Sequence, residues 1–210
     1  MQLLLVRHGQ SEPNTTTPDW DLSARGEWEA RRAGRRLVDA GVTHILSSPL
    51  LRALSTTHII AEELDHRPVE VWPELREGFD KDYQGGGRAE LLSRFPRVTL
   101  PAGMPDDGWS YAGDTPELFA ARCGRILAML KTRFGTDDRV LIVTHGGFAN
   151  YLLHAILCIP PGTPVWFEMA NGALTVIRFV PVRERVEWPL YPAFEAEILG
   201  VNDTTHLSSP

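Results

Sequence analysis

The sequence predicts an α/β fold: a three-layer α/β/α sandwich whose helices flank a mainly parallel central sheet. Three observations carry this. Apolar runs of strand length alternate with stretches of helical periodicity. Two of the runs, Leu3–Val6 and Val140–Val143, are apolar without a break, as strands buried on both faces are. Residues with chemical capacity recur just past strand ends, where open α/β sheets bind ligands.

Taken in order, Leu3 to Val6 is too short for a buried helix and stops at Arg7-His8-Gly9. Gly9 would allow a tight turn there. A polar loop, Thr15 to Asp21, leads to Ser23 as N-cap of a helix running to about Ala40, with Gly41 as its stop. Ala30, Ala33, Leu37 and Ala40 mark its buried stripe. Arg31, Arg32, Arg35 and Arg36 lie off that stripe and read as a solvated face. Val42 to Leu46 is a second strand. Ser48-Pro49 reads as cap and first residue of a helix reaching about Leu64, and Val69 to Trp72 as a third strand.

The pattern loosens between Glu74 and Gly113, with one short helix near Arg88 to Phe95. Thr115-Pro116 opens a long helix with Phe119, Cys123, Ile126, Leu127, Leu130 and Phe134 on one face. Arg139 to Thr144 is a strand ending at His145-Gly146-Gly147. A helix from Phe148 to Leu157 and a last strand, Ala173 to Val180, follow. Beyond Pro181 there is little periodicity, and His206 reads as a surface residue.

The 210 residues read as one domain, 1–210, with a variable segment of about 78–113 inside it. Such a chain buries roughly 70% of its unfolded surface and needs no disulfides. Cys123 and Cys158 sit in apolar helical patterns and read as reduced packing residues. No apolar run approaches membrane-spanning length, and the first strand leaves no room for a signal peptide, so the expectation is a cytoplasmic protein. The net charge of −6 argues against nucleic acid as partner.

The strand-end rule gathers His8, Arg52, Glu77 and His145 at one sheet edge. Two histidines, the guanidinium forks of Arg7 and Arg52, and one carboxylate suit a phosphate ester. The Ser48-Pro49 helix start would add free backbone N–H groups. Neighbouring cations would keep a histidine unprotonated and nucleophilic, and a carboxylic acid could protonate a leaving alkoxide. A Walker loop, a His-Glu-x-x-His helix and a Gly-x-Ser-x-Gly elbow are all missing from the sequence.

Leu5-Val6-Arg7-His8-Gly9-Gln10-Ser11-Glu12-Pro13-Asn14 resembles the signature of the histidine phosphatase superfamily, the phosphoglycerate-mutase-like proteins. Leu22-Ser23-Ala24-Arg25-Gly26, Ser47-Ser48-Pro49-Leu50-Leu51-Arg52-Ala53, Leu75-Arg76-Glu77, Gly113-Asp114-Thr115, Val143-Thr144-His145-Gly146-Gly147 and Asn171-Gly172 match in family order. The resemblance implies that His8 becomes phosphohistidine. It implies that Arg7, Asn14, Arg52 and His145 hold the phosphoryl oxygens, and that Glu77 is the acid, then the base. Glu74 is the neighbouring alternative, and the Leu-x-Glu context favours Glu77. No metal and no organic cofactor are implied.

The loop from Asn14 to Leu22 is shorter than in the mutases and lacks their Arg/Lys-Gly part. The segment after Gly78 carries Phe79, Tyr83, Trp109 and Tyr111 beside Asp80, Asp82, Asp106 and Asp107. These departures point to a phosphomonoesterase acting on a small organic phosphate, with no nucleic-acid or membrane partner and a homodimer compatible with the reading. A phosphoglycerate mutase or bisphosphoglycerate-type phosphotransferase is the alternative. An inactive phosphate-binding scaffold ranks third.

Overall fold

The computed structural model describes residues 1–13, 19–187, 189–190 and 192–208. A seven-stranded sheet forms its centre. In chain order the strands and helices are β1 (Gln2–Arg7), α1 (Ala24–Leu37), β2 (His44–Ser47), α2 (Leu51–Glu63), β3 (Val69–Val71), β4 (Tyr83–Gln84), α3 (Arg88–Arg94), β5 (Val98–Thr99), β6 (Ser110–Tyr111), α4 (Pro116–Arg133), β7 (Arg139–Thr144), α5 (Gly146–Ile156), β8 (Leu174–Phe179) and β9 (Ala196–Asp203). The sheet order is β5-β3-β2-β7-β1-β8-β9. β5, β3, β2, β7 and β1 run parallel; β8 and β9 are antiparallel to their neighbours. β4 and β6 form a separate antiparallel pair.

The unbroken apolar strands serve two cores. Leu3, Leu5, Val140 and Ile142 face the layer of α4 and α5. Leu4, Val6, Leu141 and Val143 face α1 and α2. Each such side chain contributes roughly 1.5–3 kcal/mol by leaving water. A one-residue slip of β1 would exchange the two sets, so register is strongly specified, and with it the level at which His8 emerges.

Several expectations need correction. Gly9 has no left-handed backbone. It is needed instead for a close approach: a Cβ on Gly9 would stand 2.3 Å from the carbonyl oxygen of Gly26. That contact presses the start of α1 onto the loop after β1. α2 begins at Leu51, and neither Ser48 nor Pro49 belongs to it. Its Leu51 N–H is taken by Asp19 Oδ1 at 2.9 Å, so this terminus does not present that donor to a ligand. α5 starts two residues earlier than expected, with His145 as its N-cap. Cys123 is buried, but Cys158 is exposed and follows α5 in a left-handed conformation.

The tail differs most. β9 pairs with β8, and irregular register there hides the alternation that would announce a strand. His206 is buried, and its Nε2 lies 3.0 Å from the carbonyl of Gly172. Arg32 is only half-exposed and donates to the backbone carbonyls of His206 and Ser208, while Arg31 and Arg35 stay on the exposed face.

Candidate active site

Register decides what meets at the carboxyl edge. β1 and β7 pair Arg7 with Thr144, so His8 and His145 leave adjacent parallel strands at one level. The His8 N–H donates to the Thr144 carbonyl at 2.9 Å. β2 pairs Ser47 with Val143, and the Ser48 N–H donates to the Val143 carbonyl. Three neighbouring strands therefore deliver His8, His145 and Ser48 side by side. The two imidazole centroids are 5.1 Å apart.

His8 is buried and its tautomer is fixed. Nδ1 lies 2.7 Å from the Gly9 carbonyl, which can only accept, so Nδ1 carries the proton. Nε2 keeps its lone pair and accepts from Arg52 Nε at 3.2 Å. Burial, then the Arg52 and Arg7 cations, lower the pKa of His8 to about 3. Gly9 N–H donates to Thr56 Oγ1, which donates to the Arg52 carbonyl, tying the His8 loop to α2. Asn171 Nδ2 donates to the His8 carbonyl and Gly172 N–H to that of Arg7.

Arg7 donates to the Met169 carbonyl at 2.5 Å, while its buried Nε has no partner among the described residues. His145 is wholly buried, and its pKa is pushed well below the ordinary value by burial, then by Arg52, His8 and Arg7. Its Nε2 is 2.8 Å from Ser48 Oγ, and its Nδ1 has no partner among the described residues. Asn14 lies outside the described residues.

Glu77 sits at the N-terminus of α5, directly beyond His145. Its carboxylate accepts from Gly147 N–H at 3.0 Å, Phe148 N–H at 2.9 Å and Gly78 N–H at 3.0 Å. A Cβ on Gly147 would lie 2.5 Å from Glu77 Oε1 and would push the carboxylate out of this seat. The Glu77 charge acts on Arg52, which links it to the histidine pair. Glu74 points elsewhere: it is exposed and pairs with Arg125 at 3.4 Å.

The chain also contains supporting residues that the sequence reading passed over. Arg122 is fully buried in α4. It donates to the carbonyls of Glu74, Arg76 and Glu77 and to Asp114, clamping the segment that carries Glu77. Its signal was positional: it lies three residues after Phe119 and four before Ile126, on the apolar stripe. Asp19 is buried beside Arg52, 3.9 Å away, and burial raises its pKa to about 6. Ser48 was read as a cap and is instead a neighbour of His145.

A profile of the histidine phosphatase superfamily (branch 1) matches residues 3–189. The chain belongs to that superfamily. It is 31% identical over 185 residues to a glucosyl-3-phosphoglycerate phosphatase of Mycolicibacterium vanbaalenii, covering 82% of this chain and 81% of that one. It is also 31% identical over 218 residues to a 2,3-bisphosphoglycerate-dependent phosphoglycerate mutase of Nitratidesulfovibrio vulgaris, covering 82% and 87%. Among solved structures, a mycobacterial glucosyl-3-phosphoglycerate phosphatase complexed with VO3 superimposes with TM-score 0.68 at 24% identity, over 97% of this chain and 99% of that one. A phosphoserine phosphatase of Entamoeba histolytica superimposes with TM-score 0.67 at 20% identity, over 99% of both chains. These structures share the superfamily fold, and the relatives include both phosphatases and mutases.

The neutral histidines of this superfamily member give a stability prediction with a definite sign. Between pH 6.5 and about 3 an unfolded His8 binds a proton that the folded one refuses. Folding stability from this group is therefore fully present above that window and is lost as pH falls through it, by up to ~1.4 kcal/mol per pH unit. Asp19, with its raised pKa, acts in the opposite direction between 3.8 and about 6. The comparison of wild type with His8→Gln isolates the histidine. In urea unfolding at pH 7, 6 and 5, His8→Gln should lose less stability on acidification than wild type. Equal losses would mean that His8 is not held neutral.

Proposed function

We propose that the protein is a phosphomonoesterase that hydrolyses a small organic phosphate through a phosphohistidine on His8. The observation that carries this reading is the fixed His8 tautomer, with an unprotonated Nε2 facing the Arg52 guanidinium. A phosphate group entering the pocket takes over the Arg52 donor and frees Nε2 for in-line attack. The P–O bond to the leaving oxygen breaks as the P–N bond forms. Arg7, Arg52, Asn14 and His145 bind the non-bridging oxygens. Glu77 gives the departing oxygen its proton, then takes one from the water that attacks phosphorus and releases His8.

Water, rather than a second phosphoglycerate, is the favoured acceptor because of the variable segment 78–113, which serves as the lid of the pocket in this proposal. Phe79, Tyr83, Trp109 and Tyr111 stack on one another, and Arg76 lies 3.7 Å over the Tyr111 ring. Arg76 is also bonded to Asp114. Arg88 is occupied by the Pro101 and Met104 carbonyls, and Arg94 by Asp21. Arg76, and Arg88 and Arg94 within the segment 78–113, are thus held in internal bonds. Of that segment's arginines only Arg97 is exposed without a partner among the described residues, whereas a bisphosphate needs a second set of forked donors. Asp80, Asp82, Asp106 and Asp107 are exposed and set a mildly acidic rim.

The reaction as proposed needs no metal. Among the described residues, no group of three His, Cys, Asp or Glu is arranged to hold one. Phosphate release from a panel of sugar phosphates, phosphoserine, nucleotides and phosphoglycerates tests the reading. Activity should persist in a strong chelator and be inhibited by micromolar vanadate. Loss of activity in chelator, restored by a divalent cation, would refute metal independence. Interconversion of phosphoglycerates outpacing phosphate release would favour the mutase.

A further inference from the structure

We infer that Ser48 is a positioning residue: its hydroxyl donates to His145 Nε2, forcing the His145 proton onto Nδ1 as a preset donor to a bound phosphoryl oxygen. The inference rests on the proposed phosphoryl chemistry and adds to it a residue that touches no substrate.

The argument is one of donor and acceptor accounting. Ser48 Oγ has one proton and two lone pairs. Leu50 N–H donates to Oγ at 3.3 Å and uses one lone pair. The other close polar atom is His145 Nε2, at 2.8 Å. If Nε2 carried the proton, the buried Ser48 proton would lack an acceptor in this set, and Nδ1 would turn a lone pair toward an anion. If Ser48 donates instead, every group in the chain Leu50–Ser48–His145 is used once. Nδ1–H is then left as a buried donor without a protein partner among the described residues, on a ring whose centroid lies 5.1 Å from that of His8. A phosphoryl oxygen supplies the missing acceptor.

The backbone makes this possible. Ser48 is completely buried at the end of β2, between the strand and the first residue of α2, and cannot turn to water. The two histidines are consequently held in matching forms by different devices. A carbonyl fixes His8 with its proton on Nδ1 and its lone pair on Nε2 as nucleophile. A hydroxyl fixes His145 with its proton on Nδ1 as donor.

The test reads the tautomer directly. In wild-type protein carrying 15N-histidine at neutral pH, the His145 signals should show a protonated Nδ1 and an unprotonated Nε2. In Ser48→Ala the proton should redistribute toward Nε2, and affinity for vanadate and for inorganic phosphate should fall about 10- to 100-fold, the worth of a hydrogen bond to a charged group. Ser48→Thr keeps a hydroxyl and should restore both readouts toward wild type. A wild-type His145 protonated on Nε2 would overturn the inference, even if no Ser48 variant folds. So would a folded Ser48→Ala that binds vanadate as tightly as wild type. Because the tautomer is measured without turnover, its failure is separable from failure of the phosphatase reading, which is marked by the absence of both phosphate release and phosphohistidine in wild type.

Discussion

His8→Ala is expected to reduce turnover by about 10⁴- to 10⁶-fold, the scale seen when a covalent nucleophile is removed. Nε2 of His8 is left unprotonated and set against Arg52. His145 cannot substitute, because its Nε2 is engaged with Ser48. The variant should fold, since the β1 pairing on both sides uses backbone groups. It should also keep affinity for inorganic phosphate, because the Arg7, Arg52 and His145 donors remain. The measurements are the turnover rate, the far-UV circular dichroism and labelling with a 32P-phosphomonoester quenched in alkaline detergent. Wild type should trap a base-stable, acid-labile phosphoramidate that His8→Ala lacks. A folded His8→Ala enzyme with substantial activity would falsify the covalent mechanism.

The parts of the site legible in the sequence are those that the strand-end rule can sort. His8 and His145 follow runs that are apolar on both faces, and such runs have one reading in an α/β fold. Arg52 and Glu77 were reachable because each lies within a few residues of a strand end. Ser48 was misread for a physical reason: serine before proline is a common helix start, and nothing local says that the helix begins at Leu51 instead. Its true partner is 97 residues away. Asp19 takes the helix-capping role from 32 residues away, in a loop without periodicity. Arg122 was hidden by its type, since a charged residue on an apolar stripe is usually read as an exception to the stripe. β9 was hidden by bulges, and with it the reason for burying His206, which braces the Gly172 carbonyl while the Gly172 N–H holds Arg7.

Glu77→Gln should divide substrates by leaving group. An alkyl phosphate expels a strongly basic alkoxide and depends on the proton Glu77 supplies, so its phosphorylation step should slow by about 10²–10⁴-fold. p-Nitrophenyl phosphate expels a stable phenolate, so its phosphorylation step should stay within a few-fold of wild type. The same glutamate should activate water in the second step, so steady-state turnover falls for both substrates and conceals the difference. Rapid quench separates them: the aryl substrate should give a near-normal burst of nitrophenol, then slow release, with phosphohistidine accumulating on His8. The seat of the side chain adds a second effect. Oε1 takes two backbone N–H groups and Oε2 takes one, so the amide NH2 of glutamine would face a donor. That mismatch costs roughly 1–3 kcal/mol of stability, to be measured by urea unfolding alongside the kinetics. Glu74→Gln is the control, because the Glu74 side chain is exposed and its carboxylate pairs with Arg125 on the surface. It should change neither the burst nor the steady state. If Glu74→Gln gave the burst and Glu77→Gln did not, the acid would be Glu74, and the carboxylate on α5 would be a structural cap.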